Sequence, residues 1–276
     1  MPLTSFTRSQ TRSVSARSFV QDSAVASLAQ HGGARFPDAR SYSAVTVSQD
    51  RGMAAQDPDE NARRLSGEAI RDGDPTGWFE QLYADAAEGQ AIVPWDRRAP
   101  HPLLVEWIEQ QPASSICRTL VVGSGLGDDA AFLAAHGYRV IAFDISKSAI
   151  ESARRRFPST PADFRVADLL NPPAEWHQHF DLVVETYTTQ SLPVRLRPTV
   201  ALHVGRFVAP GGKLLVLAVA QDGVEPVDGP PWPLSRADIE SFAVEGLKVM
   251  SLELVRDPPG THHWRAVLTR PTDLPR

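Results

Sequence analysis

The segment Leu120-Val-Val-Gly123-Ser-Gly125-Leu-Gly127, followed 17 residues on by Asp144 at the end of a second apolar run, constrains this chain more than any other feature. An apolar run broken by three closely spaced glycines reads as a strand turning sharply toward a helix, because glycine enters the left-handed backbone region without steric cost. Strand, glycine turn, helix and a later acid make the nucleotide-binding half of a parallel α/β sheet. The glycines would let the backbone approach a ligand, and the acid would meet ribose hydroxyls. The dinucleotide form of this turn is G-x-G-x-x-G, and the place of its third glycine is held here by Asp128. Asp128 and Asp129 open the next helix, where carboxylates suit the helix dipole, repel a pyrophosphate and tolerate a cationic sulfonium. The ligand this pattern points to is S-adenosylmethionine, held by Gly123, Ser124, Gly125, Gly127, Asp144 and Ile145.

Alternation of strand and helix patterns surrounds this turn. Strands are expected at 118–122, 139–143, 163–166, 180–185 and 213–219, separated by helices at 128–136, 146–156 and 195–208. Runs such as Leu214-Leu-Val-Leu-Ala-Val219 are continuously apolar, as strands buried on both faces must be. Two further strands, 248–255 and 264–268, are joined by eight residues, too few for a parallel crossover, so one of them must run antiparallel. The expected architecture is α/β: a Rossmann-like doubly wound sheet of seven strands, mostly parallel, with a C-terminal antiparallel hairpin. Ahead of the sheet, 76–83 and 101–111 read as amphipathic helices, and the residues from Asp59 on are helix-compatible.

Residues 1–52 differ in kind from the rest. They carry six Arg, three Asp and ten Ser without a sustained period, which predicts a disordered extension, either a mis-assigned start upstream of Met53 or a targeting segment. Residues 53–276 then form one catalytic domain. The net charge of −5 argues against a nucleic-acid partner, and no apolar stretch is long enough to span a membrane. One cysteine, Cys117, excludes an intrachain disulfide and suits a cytoplasmic protein, monomeric or weakly self-associating. His177 and His179 lack partners for a metal site, so no metal is expected, and His262-His263 are expected to be exposed in the hairpin turn.

Gly77-Trp78, Leu82-Tyr83, Pro94-Trp95-Asp96 and His101-Pro-Leu-Leu104 together resemble the N-terminal signature of thiopurine and thiol methyltransferases, within the class I methyltransferase fold. The resemblance covers about residues 75–270 and implies that Trp78 and Trp95 close over the sulfonium, where cation–π attraction contributes roughly 0.5–2 kcal/mol. It also implies that Asp144 accepts the ribose hydroxyls, that Asp168 and Leu169 border the adenine, and that Glu185-Thr-Tyr187 lines the methionine end. Arg197, beyond the loop Thr188–Pro193, and Trp232, in Gly229-Pro-Pro-Trp232, match substrate-side positions, with Ser235 and Asp238 as a capping box. One departure is Val121, where many members carry an acid two residues before the first glycine. Each of these residues also has a plainer reading: Trp78 as helix packing, Asp168 and Glu185 as solvated strand-end acids, Trp232 as part of a stiff surface loop.

The activity implied is methyl transfer to a small-molecule nucleophile, a thiol or thiopurine-like acceptor. O- or N-methylation of another metabolite, or a noncatalytic S-adenosylmethionine-binding module, stay open. A thiol needs little acid–base machinery, whereas a hydroxyl or amine acceptor needs a base, for which Tyr187 or Glu185 are the candidates. A nicotinamide dehydrogenase would require the G-x-G-x-x-G turn that Asp128 interrupts.

Overall fold

The continuous apolar runs become the inner strands of one sheet in a computed structural model describing residues 57–111, 117–221, 229–257 and 260–272. All of these lie within one unit, Asp50–Arg276, and the expectation for residues 1–52 falls outside the described residues. Strands β1 (Arg118–Val122), β2 (Arg139–Asp144), β3 (Asp163–Val166), β4 (Phe180–Thr186) and β5 (Val208–Val219) are followed by β6 (Lys248–Arg256) and β7 (His262–Thr269). The sheet order is β3-β2-β1-β4-β5-β7-β6, the expected Rossmann-like α/β fold. Pairing among β1 to β5 is parallel, and β7 runs antiparallel to both β5 and β6.

Leu120, Val122, Val183, Leu214 and Val216 pack into one core cluster, and their strand neighbours Val121, Leu182, Val184, Leu215 and Leu217 into another. Successive residues point to opposite faces, so core on both sides explains why these runs do not alternate with polar residues. The first cluster packs beneath α6 (Arg197–Phe207), and the second beneath α3 (Pro102–Glu109) and α4 (Asp128–Ala135). Strand order reverses between β1 and β4, and the crevice beyond their carboxyl ends is where open α/β sheets bind ligands.

Boundaries shift at several elements, three of them for reasons visible in the packing. The helix-compatible segment forms a 14-residue helix, α1 (Pro58–Arg71), capped by the Asp57 side chain, which accepts from Asp59 N. Its Ala62 and Leu65 pack on Trp78 and Leu82 of α2 (Gly77–Ala87), a helix that runs four residues beyond the end of the Thr76–Tyr83 pattern. β5 begins at Val208 instead of Lys213, because Pro210-Gly-Gly212 passes inside the strand as an irregularity that shifts the β4 register. A Cβ on Gly212 would lie 2.9 Å from the carbonyl oxygens of Ala209 and Phe180, so only glycine fits there. The expected capping box is present: Ser235 Oγ accepts from Asp238 N at the start of α7 (Arg236–Glu240), and Asp238 accepts from Ser235 N.

Candidate active site

A cleft of about 1150 Å³, open to solvent, lies beyond the carboxyl ends of β1, β2 and β4. Its floor is the glycine turn. Gly123, Gly125 and Gly127 have φ of 59°, 51° and 90°, all in the left-handed region that favours glycine. The steric reason is not ligand space alone. A Cβ would lie 2.2 Å from Thr188 Oγ1 at Gly123, 2.8 Å from Tyr83 Oη at Gly125, and 2.8 Å from Phe164 Cζ at Gly127. The protein's own side chains thus leave no space for a Cβ at any of the three glycines.

Asp144 ends β2 with Gly125 N donating to Oδ2 and Ser146 N to Oδ1, both at 2.9 Å. A carboxylate has about four acceptor sites, so acceptor capacity for a ribose hydroxyl remains. Burial pushes its pKa up to about 6 against those backbone hydrogen bonds. Ser124, Ile145, Asp168 and Leu169 line the same cleft, and Asp168 also accepts from Leu170 N at 2.8 Å.

The aromatic wall comes from α2 and the loop after it. Phe79, Tyr83 and Trp95 line the cleft, and Trp95 Nε1 donates to Tyr83 Oη at 2.8 Å. Trp78 does not reach it. That ring is 2 % exposed, stacks on Phe79 at 4.0 Å and meets Trp95 edge-on from behind, so the cofactor contact expected for Trp78 is replaced by a packing role. The Trp95 loop is strapped down by Asp96, whose two oxygens accept from Arg156 at 2.9 and 2.7 Å. Arg156 also donates to Asp128 at 2.7 Å, which compensates one of the two acids the sequence placed beside the ligand. Asp129, the other, accepts from His101 N at 2.7 Å and Thr186 Oγ1 at 3.2 Å, and burial lifts its pKa to about 6.

Two expected site residues at the end of β4 separate. Glu185 is fully buried outside the cleft lining, with Oε1 accepting from Thr189 N at 2.8 Å, Oε2 unpartnered, and burial raising its pKa to about 7. It holds the turn after β4, and its carboxyl does not line the cleft. Tyr187, by contrast, lines the cleft with φ of +62°, a rare conformation for a tyrosine. Its Oη lies 2.8 Å from His101 Nε2, 3.1 Å from His263 Nδ1 and 3.3 Å from Arg97 Nη2. His263 was expected to be exposed and is 5 % exposed, with Nε2 at 2.9 Å from Asp257 Oδ2. The sequence reading missed His101, Arg97, His263 and Asp257 as a group, because nothing in it said which hairpin strand pairs with β5.

A family model for thiopurine S-methyltransferase matches residues 87–260. The chain belongs to that family. A probable thiol methyltransferase 2 from Arabidopsis thaliana is 26 % identical over 205 residues, covering 72 % of this chain and 87 % of its own. Thiocyanate methyltransferase 1 of Brassica oleracea is 27 % identical over 202 residues, 71 % of this chain and 83 % of its own. A solved structure concerned with converting a disulfide bond into a thioacetal group during echinomycin biosynthesis is 23 % identical, with TM-score 0.58, covering 71 % of this chain and 94 % of the solved one. At that identity it supports the fold alone. The chain is an S-adenosylmethionine-dependent methyltransferase acting on a small-molecule acceptor.

In this thiopurine S-methyltransferase family member the two substrate-side residues expected from the sequence also lie outside the cleft lining. Arg197 is buried, with Nη1 donating to Asp238 at 2.8 Å and Nη2 to the Trp232 carbonyl at 2.7 Å. Trp232 N donates to Gln190 O at 2.7 Å, and the Trp232 ring packs so close to Gly229 that a Cβ there would sit 2.7 Å from Cδ2. Both residues fasten the 229–235 loop to α6 and to the turn after β4. Cys117 is half-buried just ahead of β1, and burial raises its pKa.

Proposed function

We propose that the acceptor is a small thiol methylated on sulfur, with Tyr187, His101 and Arg97 at the acceptor end of the cleft. The observation that carries this reading is Arg97, whose guanidinium stands over the Tyr187 ring, 5.8 Å from its centroid, with no carboxylate within ion-pair range among the described residues. A cation placed there favours an acceptor that arrives or reacts as an anion, and thiols ionise more readily than alcohols. The named relatives, a thiol and a thiocyanate methyltransferase, support the same class.

The cleft fits S-adenosylmethionine. Asp144 keeps acceptor capacity for a ribose hydroxyl, Gly123 to Gly127 offer backbone, Asp168 and Leu169 form the far side, and Tyr83 and Trp95 present ring surface toward a sulfonium. When bound, the cofactor supplies a methyl carbon activated by the sulfonium for in-line displacement. The protein's part is to orient the two reactants and exclude water, contributions that suffice for a nucleophile already ionised. The net charge of −5 supports a small molecule over nucleic acid, and the lone cysteine supports a cytoplasmic setting.

Release of S-adenosylhomocysteine should be measured across alkanethiols, aromatic thiols, phenols and amines. The highest kcat/KM is expected for thiols. A phenol or amine exceeding every thiol would overturn the assignment of the acceptor while leaving the family intact.

A further inference from the structure

The acceptor end of the cleft holds more acid–base machinery than a preformed thiolate needs. Its hydrogen bonds run in one direction. Leu103 N donates to His101 Nδ1 at 3.2 Å, so the His101 proton sits on Nε2 and is donated to Tyr187 Oη at 2.8 Å. Burial, with the charge of Arg97 adding to it, pushes the His101 pKa down to about 3, which keeps this ring neutral. Asp257 faces His263 Nε2 at 2.9 Å, so the His263 proton sits there, and Nδ1 is left to accept the Tyr187 hydroxyl proton at 3.1 Å. Burial works upward on Asp257, but hydrogen bonds from His263, Thr261 and Gly260 outweigh it and hold the carboxyl below its ordinary range, ionised at neutral pH.

We propose that Tyr187 is the catalytic base for acceptors that arrive protonated, and that His263 and Asp257 are positioning residues which take the proton from it. The proposal rests on the methyltransferase and thiol readings above and extends them from thiolates to thiols. In the step, the acceptor proton moves to Tyr187 Oη as the tyrosine's own proton moves to His263 Nδ1. The sulfur lone pair so freed forms the bond to the methyl carbon, and the breaking carbon–sulfur bond leaves its electron pair on the departing thioether. The sulfonium charge therefore ends as one proton on His263, beside the Asp257 carboxylate, from which it returns to solvent.

The cluster meets three requirements of such a relay. Burial lifts the Tyr187 pKa to about 12, so a resting tyrosinate is not formed, and the tyrosine must pass its proton on in the same motion. The Arg97 contact, from an exposed side chain at 3.3 Å, is the weakest of the three on Oη and the one an incoming thiol can displace. Once displaced, the guanidinium stays beside the developing anion. A proton-accepting histidine oriented by a buried or half-buried carboxylate is the arrangement that activates hydroxyl nucleophiles in hydrolases, used here on a tyrosine. The charged and titratable groups facing Tyr187 are Arg97, His101, Asp129, Asp257 and His263, and only His263 is both within reach and free to accept.

The test compares ethanethiol, protonated at neutral pH, with iodide, which has no proton to lose, in the full chain and in Tyr187→Phe, His263→Gln and Asp257→Asn. For Tyr187→Phe and His263→Gln, the loss of kcat with ethanethiol is expected to exceed the loss with iodide by about 10²-fold, the contribution of a positioned base. In Tyr187→Phe the remaining thiol rate should rise about tenfold per pH unit until the thiol itself ionises. Asp257→Asn should give a smaller loss of the same kind. Independently of turnover, nitrogen-15 NMR should show the ring proton of His101, and the one that His263 shares with Asp257, on Nε2. Equal losses with both acceptors, no loss with either, or a proton on His263 Nδ1 would overturn the relay. Wild-type enzyme that turns over other acceptors but not ethanethiol would instead sink the thiol reading on which it rests.

Discussion

The glycine-turn wall of the cleft runs from Gly123 to Ile145 in one short stretch, whereas the opposite wall is assembled from Arg97, His101 and Tyr187, backed by His263 and Asp257, residues drawn from separate segments of the chain. The first depends on backbone: positive-φ glycines, N–H groups aimed at Asp144, and neighbours that leave no space for a Cβ. The second depends on side chains whose only relation is that the sheet brings them together. β7 runs antiparallel beside β5, so its first residues arrive at the edge where the parallel strands end, with His263 opposite Val219. A wall built from backbone spacing is legible as a motif. A wall built by topology is not.

The largest effect expected concerns the aromatic layer shared by both walls. Trp78 is core and Trp95 is cleft, so Trp78→Ala should cost about 3–5 kcal/mol of folding free energy, the usual penalty for a large buried aromatic. Cofactor affinity per folded molecule should stay near wild type. Urea unfolding paired with calorimetric titration of S-adenosylmethionine checks both. A small loss of stability with a large loss of affinity would put Trp78 back in the site.

Glu185 sharpens the contrast with Tyr187 two residues on. Its folded pKa is about 7 against an ordinary 4.5, so the folded state binds this proton more tightly than the unfolded one. The associated stability is complete below pH 4.5 and is lost as pH rises through 7, a swing of about 3 kcal/mol. Glu185→Gln should remove that swing from the difference between unfolding curves at acid and alkaline pH, with turnover within a few-fold of wild type. A loss of turnover comparable to that of Tyr187→Phe would restore Glu185 as a base.

The sequence carried the sheet order's raw material well, for physical reasons visible in particular residues. β1 and β3 have the expected bounds because Arg118 and Asp163 mark sharp changes from loop to strand, and the Ser235 capping box is a local signal. β5 was misjudged at its start because Pro210-Gly-Gly212 is a turn signal wherever it occurs, and only the close carbonyls of Ala209 and Phe180 show that it lies inside a strand. At the site, Asp144 was legible from spacing. Trp95, between a proline and an acid, was the more legible of the two aromatics, whereas the helix stripe that carries Trp78 left packing open, and packing is its role. Arg197 was expected at the substrate from the family resemblance alone, and here its guanidinium is taken by Asp238 and the Trp232 carbonyl.

Asp144 tests the glycine-turn wall itself. Asp144→Ala should weaken S-adenosylmethionine binding by one to two orders of magnitude, through loss of hydrogen bonds to a charged group worth roughly 1.5–3 kcal/mol each, partly replaced by water. Gly125 N and Ser146 N would also lose their acceptor, so some loosening of the turn is expected in hydrogen exchange. An unchanged dissociation constant in a folded variant would remove the ribose role.

The smallest effect expected is at Trp95, and it decides whether the aromatic layer belongs to the cleft or merely borders it. Trp95 is half-buried between Pro94 and Asp96, bonded through Nε1 to Tyr83 and held over the turn by the Asp96–Arg156 pair. Those attachments are side-chain contacts at the rim, so Trp95→Ala should cost less folding free energy than Trp78→Ala. What it removes is ring surface facing the ligand, and cation–π attraction to a sulfonium is worth about 0.5–2 kcal/mol. Because that attraction needs a positive charge, the variant should lose affinity for S-adenosylmethionine and keep most of its affinity for neutral S-adenosylhomocysteine. Titrating both ligands against both proteins reads this difference directly. Equal losses for the two ligands would mean that Trp95 acts by shape alone, and a large fall in unfolding midpoint with both affinities intact would make it packing, like Trp78 behind it.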